Sequence, residues 1–343
     1  MILLKKRLFI LLTLFTVITF SSFGQDPHFS QFYANPLYLN PAFTGTINCP
    51  RFSILFRDQW PAIKNNFITS SISYDQYIYE LHGGIGVLAT ADIQGGGIFQ
   101  TYNAGIIYNF RAKVSDRFNL QFALQGNYLY NSINLDRLVL ASDLLNPQST
   151  TDVPKELYSN VIKSQFDAGF GMIGYTPYLF FGLAIHHLLP LQLSYLRTTG
   201  NKFEKIWEPK WTAHVGGKIT ISQKFRDENN VGDIFLYPTI VFQSQGNFNY
   251  MHEGFYFNFY PFTIGAWVRH NFKNMDAFIL SFGVEYKIFK IGYSYDFNLT
   301  KLEGTGGAHE VSLQFIIPCN KDRMSKNAQK RSARFPSVEC PSF

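Results

Sequence analysis

Few residues in this chain of 343 are of a type and spacing that could do chemistry. Nucleophilic hydrolysis needs a serine or cysteine, a histidine and an orienting acid brought together. The histidines in regular stretches are the adjacent His186 and His187, then His214, His252 and His309, and no nucleophile motif accompanies them. Ordinary polar lining is the reading that fits them. No His-Glu-x-x-His run and no clustered cysteines mark a zinc site. Gly95-Gly96-Gly97 lacks the lysine and the following helix of a phosphate loop and reads as a turn. No catalytic residue, no metal and no cofactor is therefore expected, and the chain reads as not an enzyme.

Binding chemistry is the other use of such residues. Asp296 closes one polar–apolar stretch, and His309 and Glu310 open the next. If both stretches are strands, Asp296 and Glu310 share a face, because side chains alternate with period two. Two readings stand: a partner contact or loop-pinning role, or a structural network that satisfies buried polar groups. The cysteines are Cys49, Cys319 and Cys340. Few for a disulfide scaffold, they still allow a bridge in an oxidising compartment. Which pair forms depends on the elements that position them.

Those elements are strands. Ile291, Tyr293, Tyr295, Phe297 and Leu299 alternate with Gly292, Ser294, Asp296 and Asn298. Val311, Leu313, Phe315 and Ile317 alternate with Glu310, Ser312 and Gln314 in the same way. Phe118 to Gln125, Trp211 to Ile221 and Phe278 to Lys287 repeat the pattern. Aromatic residues make up 17%, while charged residues are only 16% against about 25% in average soluble proteins. Mean hydropathy is nevertheless near zero, so apolar and polar residues interleave. That combination fits a transmembrane barrel, whose strands face lipid and lumen by turns. A large soluble β-sandwich is the competitor, and it has no need of so many outward aromatics.

The start of the chain supports export. Lys5, Lys6 and Arg7 precede an apolar run from Leu8 to Phe20 and a small-residue stop at Ser22-Phe23-Gly24. The run is shorter than the roughly 20 residues of a spanning helix, so residues 1–24 read as a signal peptide. No cysteine follows the stop, which argues against a lipid anchor. The leader carries three of the formal net charge of +6 and the tail from Asn320 carries four, leaving −1 for the body. A basic nucleic-acid surface on the body is thereby excluded.

Period-two runs predict about 14 strands: 51–58, 67–77, 82–92, 98–112, 117–131, 165–176, 178–189, 208–223, 232–246, 249–260, 262–273, 275–287, 289–299 and 307–317. With the N-terminus of the first strand periplasmic, the long connections 132–164 and 190–207 fall outside and the inner turns are mostly tight, the usual bacterial pattern. The expected division is a signal peptide at 1–24, a plug-like or rim segment at 25–50, the barrel at 51–317 and a basic periplasmic tail at 318–343. Asn35-Pro36 and Asn40-Pro41 break regular structure in the second unit. Its Phe29, Phe32, Tyr33, Leu37, Tyr38 and Leu39 are too apolar for a solvated linker, so it should pack in the lumen or against the periplasmic mouth. The tail ends with Phe335, Cys340, Pro341 and Phe343, either a partner-binding peptide or a disordered end. Barrel closure would bring Cys49, before the first strand, near Cys319, after the last. That leaves open a Cys49–Cys319 bridge, or a Cys319–Cys340 pair, subject to Cα atoms within about 7 Å.

Two motifs carry a family resemblance. Gln25-Asp-Pro-His-Phe-Ser-Gln-Phe-Tyr-Ala-Asn-Pro36 runs on to Leu39-Asn-Pro-Ala-Phe-Thr-Gly45, directly after the leader. Gly292-Tyr-Ser-Tyr-Asp296 is followed by Gly307-Ala-His-Glu-Val-Ser-Leu313. The first resembles the opening of PorP/SprF-family proteins of the type IX secretion system, and the second resembles their closing signature. The resemblance implies a non-enzymatic outer-membrane barrel that docks or anchors secreted proteins, such as a gliding adhesin or its C-terminal domain. It also implies contact with periplasmic machine components, with outer-membrane lipid around the wall. A barrel transporting hydrophobic small molecules is the alternative, and a passive porin a third, weakened by the apolar N-terminal segment. Asp296, His309, Glu310, Phe335, Cys340, Pro341 and Phe343 are the expected partner-binding residues.

Overall fold

A computed structural model describes residues 25–134, 137, 161–192, 206–222, 234–300 and 303–318. The leader and the tail from Cys319, with Phe335, Cys340, Pro341 and Phe343, lie outside the described residues.

The barrel strands are β1 (Arg51–Gln59), β2 (Phe67–Ile78), β3 (Gly83–Gln94), β4 (Phe99–Lys113), β5 (Asn119–Ile133), β6 (Val161–Tyr175) and β7 (Leu179–His186). They continue with β10 (Lys210–Gly217), β11 (Ile219–Ser222), β12 (Ile234–Gln245), β13 (Phe248–Phe259), β14 (Phe262–His270), β15 (Met275–Tyr286), β16 (Phe289–Asn298) and β17 (Ala308–Ile316). All pairings are antiparallel; β1 closes on β17 and β10 on β12, so the sheet has no open edge. β10 and β11 are one strand interrupted at Lys218, which makes fourteen around the wall. Pro238 of β12, with no N–H for the ladder, stands opposite that interruption: Thr239 pairs with Gly216 and Leu236 with Ile219.

Two expectations need correction. The strand expected over 178–189 stops at His186, because His187 takes a left-handed backbone (φ 60°) and Leu188 turns to donate to the Ala168 carbonyl. The connection 190–207 holds a short ribbon of its own, β8 (Leu191–Gln192) on β9 (Ile206–Trp207), too short for periodicity to reveal.

Parity follows the sequence. In β1, Arg51, Ser53, Leu55 and Arg57 are buried, while Phe52, Ile54 and Phe56 are exposed. In β16, Gly292, Ser294 and Asp296 turn in and Ile291 and Tyr293 turn out. The wall is apolar outside and polar inside, the inverse of a soluble sandwich. Residues 25–50 occupy the interior, with a helical turn at Pro36–Leu39 and a 3-10 turn at Pro41–Phe43. Phe29, Phe32, Tyr33, Leu37, Leu39 and Phe43 form a buried core with the inward Leu55, Leu88, Ile173, Tyr256 and Trp267. Prolines at the first helical positions suit these turns, and the Asn40 side chain caps the second through the Ala42 N–H.

Candidate functional site: the filled lumen

The N-terminal segment crosses the lumen from one end to the other. Asp26 meets residues at the long-connection end of the wall, and Gly45 and Thr46 meet residues at the tight-turn end, where β1 begins. Three belts of polar contact hold it.

At the long-connection end, the Asp26 N–H donates to Gln245 Oε1 (2.8 Å) and its carboxylate receives the Trp207 indole N–H (3.1 Å). The same carboxylate faces His187 Nε2 at 3.0 Å and Lys210 Nζ at 3.5 Å. His187 Nδ1 lies 2.9 Å from Asp167 Oδ2. Burial alone would lower the His187 pKa, but the Asp26 and Asp167 carboxylates outweigh it and hold it at about 9. Burial would likewise raise the Asp26 carboxyl, yet His187 and then Lys210 keep it well below the usual value. Both imidazole nitrogens are occupied by carboxylates, so this His–Asp pairing has no nitrogen left to activate a nucleophile.

The middle belt is built on Glu310 and Asp296, both fully buried. Glu310 accepts the backbone N–H groups of Ser30 (2.6 Å) and Gln31 (2.9 Å) and pairs with Arg57. Asp296 accepts the Ser30 hydroxyl (2.8 Å) and faces Arg57 and Arg269, each at 3.0 Å. Gln31 is held further by Ser294 and Ser312. Across the lumen, Asn40 donates to the Met172 and Leu183 carbonyls and meets His214 Nε2 at 3.2 Å. Two inward glycines make room for it. A Cβ on Gly171 would lie 2.3 Å from Asn40 Oδ1, and one on Gly182 would collide with the His214 ring.

At the tight-turn end, the Gly45 N–H donates to Asp75 (2.7 Å), which is paired with Arg51 at 2.8 Å. Asn109 donates to the Thr44 carbonyl, and Arg111 to the Gly45 and Thr46 carbonyls.

The structure thus joins two of the expected binding residues and separates a third. Asp296 and Glu310 share the inward face and are enclosed by the segment. His309 turns outward, where its ring packs on Tyr295 (4.8 Å) and its Nδ1 meets the Tyr293 hydroxyl (2.8 Å). His214 stacks on Phe43 and His252 packs edge-on against Phe32. Cys49 is disulfide-bonded, and Cys319 and Cys340 lie outside the described residues. Among the described residues no group of three or more His, Cys, Asp or Glu is placed to hold a metal. The sequence reading did not single out Arg51, Arg57, Asp75 and Arg111. The signal was present: each is a charge at inward parity in a period-two strand.

Comparison with known proteins follows the same lines. The family described as "Type IX secretion system membrane protein PorP/SprF" matches residues 21–315. No curated protein matches. Among solved structures, the chain is similar to the Ralstonia pickettii toluene transporter TbuX at 12% identity and a TM-score of 0.46, covering 82% of this chain and 93% of that one. It is similar to the P. putida toluene transporter TodX at 10% identity and a TM-score of 0.44, covering 84% and 94%. A Pseudomonas aeruginosa FadL homologue follows at 10% identity and a TM-score of 0.42, covering 86% and 100%. Likenesses at this level carry no substrate over to this chain.

Proposed function

Since the chain belongs to the PorP/SprF family of type IX secretion system membrane proteins, we propose that it is a non-enzymatic outer-membrane docking barrel for secreted proteins and machine components. Membership in that system implies partnering with secretion components. The observation that carries the docking reading is the filled lumen. Residues 25–50 act as a plug, fixed by the Asp26 ion pairs and by hydrogen bonds from Ser30, Gln31 and Gly45 to buried carboxylates of the wall, and a plug held at three levels suits a rigid platform better than a conduit. The transporter alternative requires that plug to move aside.

In this proposal the long-connection end faces outward and holds a secreted adhesin or its C-terminal domain. The tight-turn end faces the periplasm, where the basic tail, residues 318–343, contacts the machine. Phe335, Cys340, Pro341 and Phe343 are the tail's contact residues, and Cys49 pairs with Cys319 at that rim. No cofactor takes part. The test is a gentle detergent pull-down of the tagged protein from its own outer membrane, with and without residues 320–343. Recovery of a secreted adhesin or of periplasmic subunits, the latter lost with the tail, is the expected result. A barrel recovered alone in both forms would remove the docking reading.

A further inference from the structure

The outward face of the described strands is apolar or uncharged almost everywhere, and its ionisable exceptions are informative. Asp58 is the penultimate residue of β1, and its carboxylate accepts the Asn66 amide at 2.6 Å. His309 is the second residue of β17 and bonds Tyr293; His270 is the last of β14. Asp58 and His309 stand at the long-connection rim, while His270 ends β14 opposite Met251, two positions from Glu253 along β13.

Glu253 lies five residues from the start of β13 and six from its end. At a rise of about 3.4 Å per residue and a tilt of roughly 40°, that is about 13 Å from one end of its own strand and about 16 Å from the other, within an apolar band about 25 Å tall. Its direction is fixed by its neighbours. His252 is fully buried against Phe32, and a Cβ on Gly254 would meet the buried Trp267 ring. The Glu253 side chain itself is 49% exposed. Across the ladder it stands between Ile240 and Val268, with Met251 and Phe255 two residues along the strand. The nearest base is His270, whose Nε2 is 3.7 Å from Oε1, longer than a hydrogen bond. Among the described strands no lysine or arginine turns outward to meet it.

We propose that Glu253, with His270 beside it, is a lateral docking point for a membrane-embedded partner polypeptide that presents a lysine or arginine to the β12–β14 wall. Ionisable residues at membrane depth are rare and are normally paired. Lipid amines sit at the edges of the hydrocarbon band and do not reach its middle. A second copy of this chain offers no outward cation among its described strands. A cationic side chain carried in by another membrane-embedded segment fits the charge, and Ile240, Phe255 and Val268 supply apolar area around it. This contact is separate from the rim and tail contacts proposed above, so either can fail without the other.

The test places a photoreactive benzoyl-phenylalanine at Val268 in the native outer membrane and identifies the adducts by mass spectrometry. The expected adduct is a polypeptide whose cross-linked stretch contains a lysine or arginine. Its yield should fall about tenfold or more in Glu253→Leu, as loss of a buried charge pair implies, and persist in Glu253→Asp. Gel heat-modifiability shows that each variant barrel is folded, and a leucine on a lipid-facing wall should not disturb it. Adducts to lipid alone, or an undiminished polypeptide adduct in Glu253→Leu, would overturn the proposal.

Discussion

Replacing Glu310 by alanine tests whether the lumen segment is held by the middle belt. Glu310 is fully buried and accepts the Ser30 and Gln31 N–H groups at 2.6 and 2.9 Å. Alanine leaves both amides without an acceptor, at roughly 1–3 kcal/mol each. Arg57 is not orphaned, because Asp296 remains at 3.0 Å and the Ser30 hydroxyl at 3.1 Å. The full penalty of about 3–5 kcal/mol for breaking a buried pair therefore does not add to the amide loss. A total on the order of 2–6 kcal/mol against seating of the segment remains, or about one and a half to four factors of ten at roughly 1.4 kcal/mol per decade. Hydrogen exchange read by mass spectrometry in detergent should show peptides over 29–33 exchanging faster by about that factor. Peptides from β4 and β5 serve as the internal standard and should not change. Glu310→Gln keeps one carbonyl acceptor and should fall between. Native-like protection of Ser30 and Gln31 in a folded Glu310→Ala barrel would refute the assignment. If that variant does not fold, Gln31→Ala removes the Ser294 and Ser312 contacts and asks the same question more gently.

Other expectations follow from the two ends of the segment and from its route. His187 is raised in the folded state from 6.5 to about 9, so its contribution to the Asp26 clasp is complete below pH 6.5 and is lost as pH rises through about 9. Asp26 is lowered below 3.8, so its share is complete above that value and is lost only on stronger acidification. Protection of the Asp26 amide should thus be greatest between these limits, and a flat profile up to pH 10 would contradict the clasp. At the other end, a Cβ on Gly84 would sit 2.4 Å from the Thr44 carbonyl oxygen, a backbone atom that cannot swing away. Gly84→Val should cost at least about 1–3 kcal/mol and deprotect 44–46 before 29–33; equal protection would count against this close approach. Peptide mapping without reduction should recover Cys49 linked to Cys319, and three free thiols would dismiss the bridge. Finally, a tag placed directly before Gln25 should be labelled from the same side of the membrane as one in the 271–274 turn. Labelling from opposite sides would refute the end-to-end route, whereas both from the periplasm would reverse only the orientation.

Much of this molecule was legible in the sequence because strand side chains alternate with period two whatever lies around them. That fixes which residues of Ile291–Leu299 and Val311–Ile317 share a face, and it placed Asp296 and Glu310 together without any structure. The same local rule located every barrel strand to within a few residues. It failed where the backbone obeys something else: at His187, whose left-handed φ ends β7, and at Lys218, where the ladder breaks opposite Pro238. The Asn-Pro pairs and aromatic content of 25–50 set that segment apart from the strands, since such residues neither form strands nor tolerate solvent.

Only the closed barrel decided what that segment touches. Ser30 meets Glu310 across 280 residues of chain and Asp296 across 266, and Asp26 meets His187 across 161. No local periodicity encodes such pairs; they arise because the sheet closes and β17 returns beside β1. Closure also made Asp296 and Glu310 buried anchors, by supplying Arg57 and Arg269 as counter-charges and the backbone of Ser30 and Gln31 as donors. And it exposed the oddity of Glu253, a residue unremarkable in sequence. Only when the wall is assembled does its carboxylate stand among Ile240, Phe255 and Val268, beside His270 and with no outward lysine or arginine among the described strands to meet it.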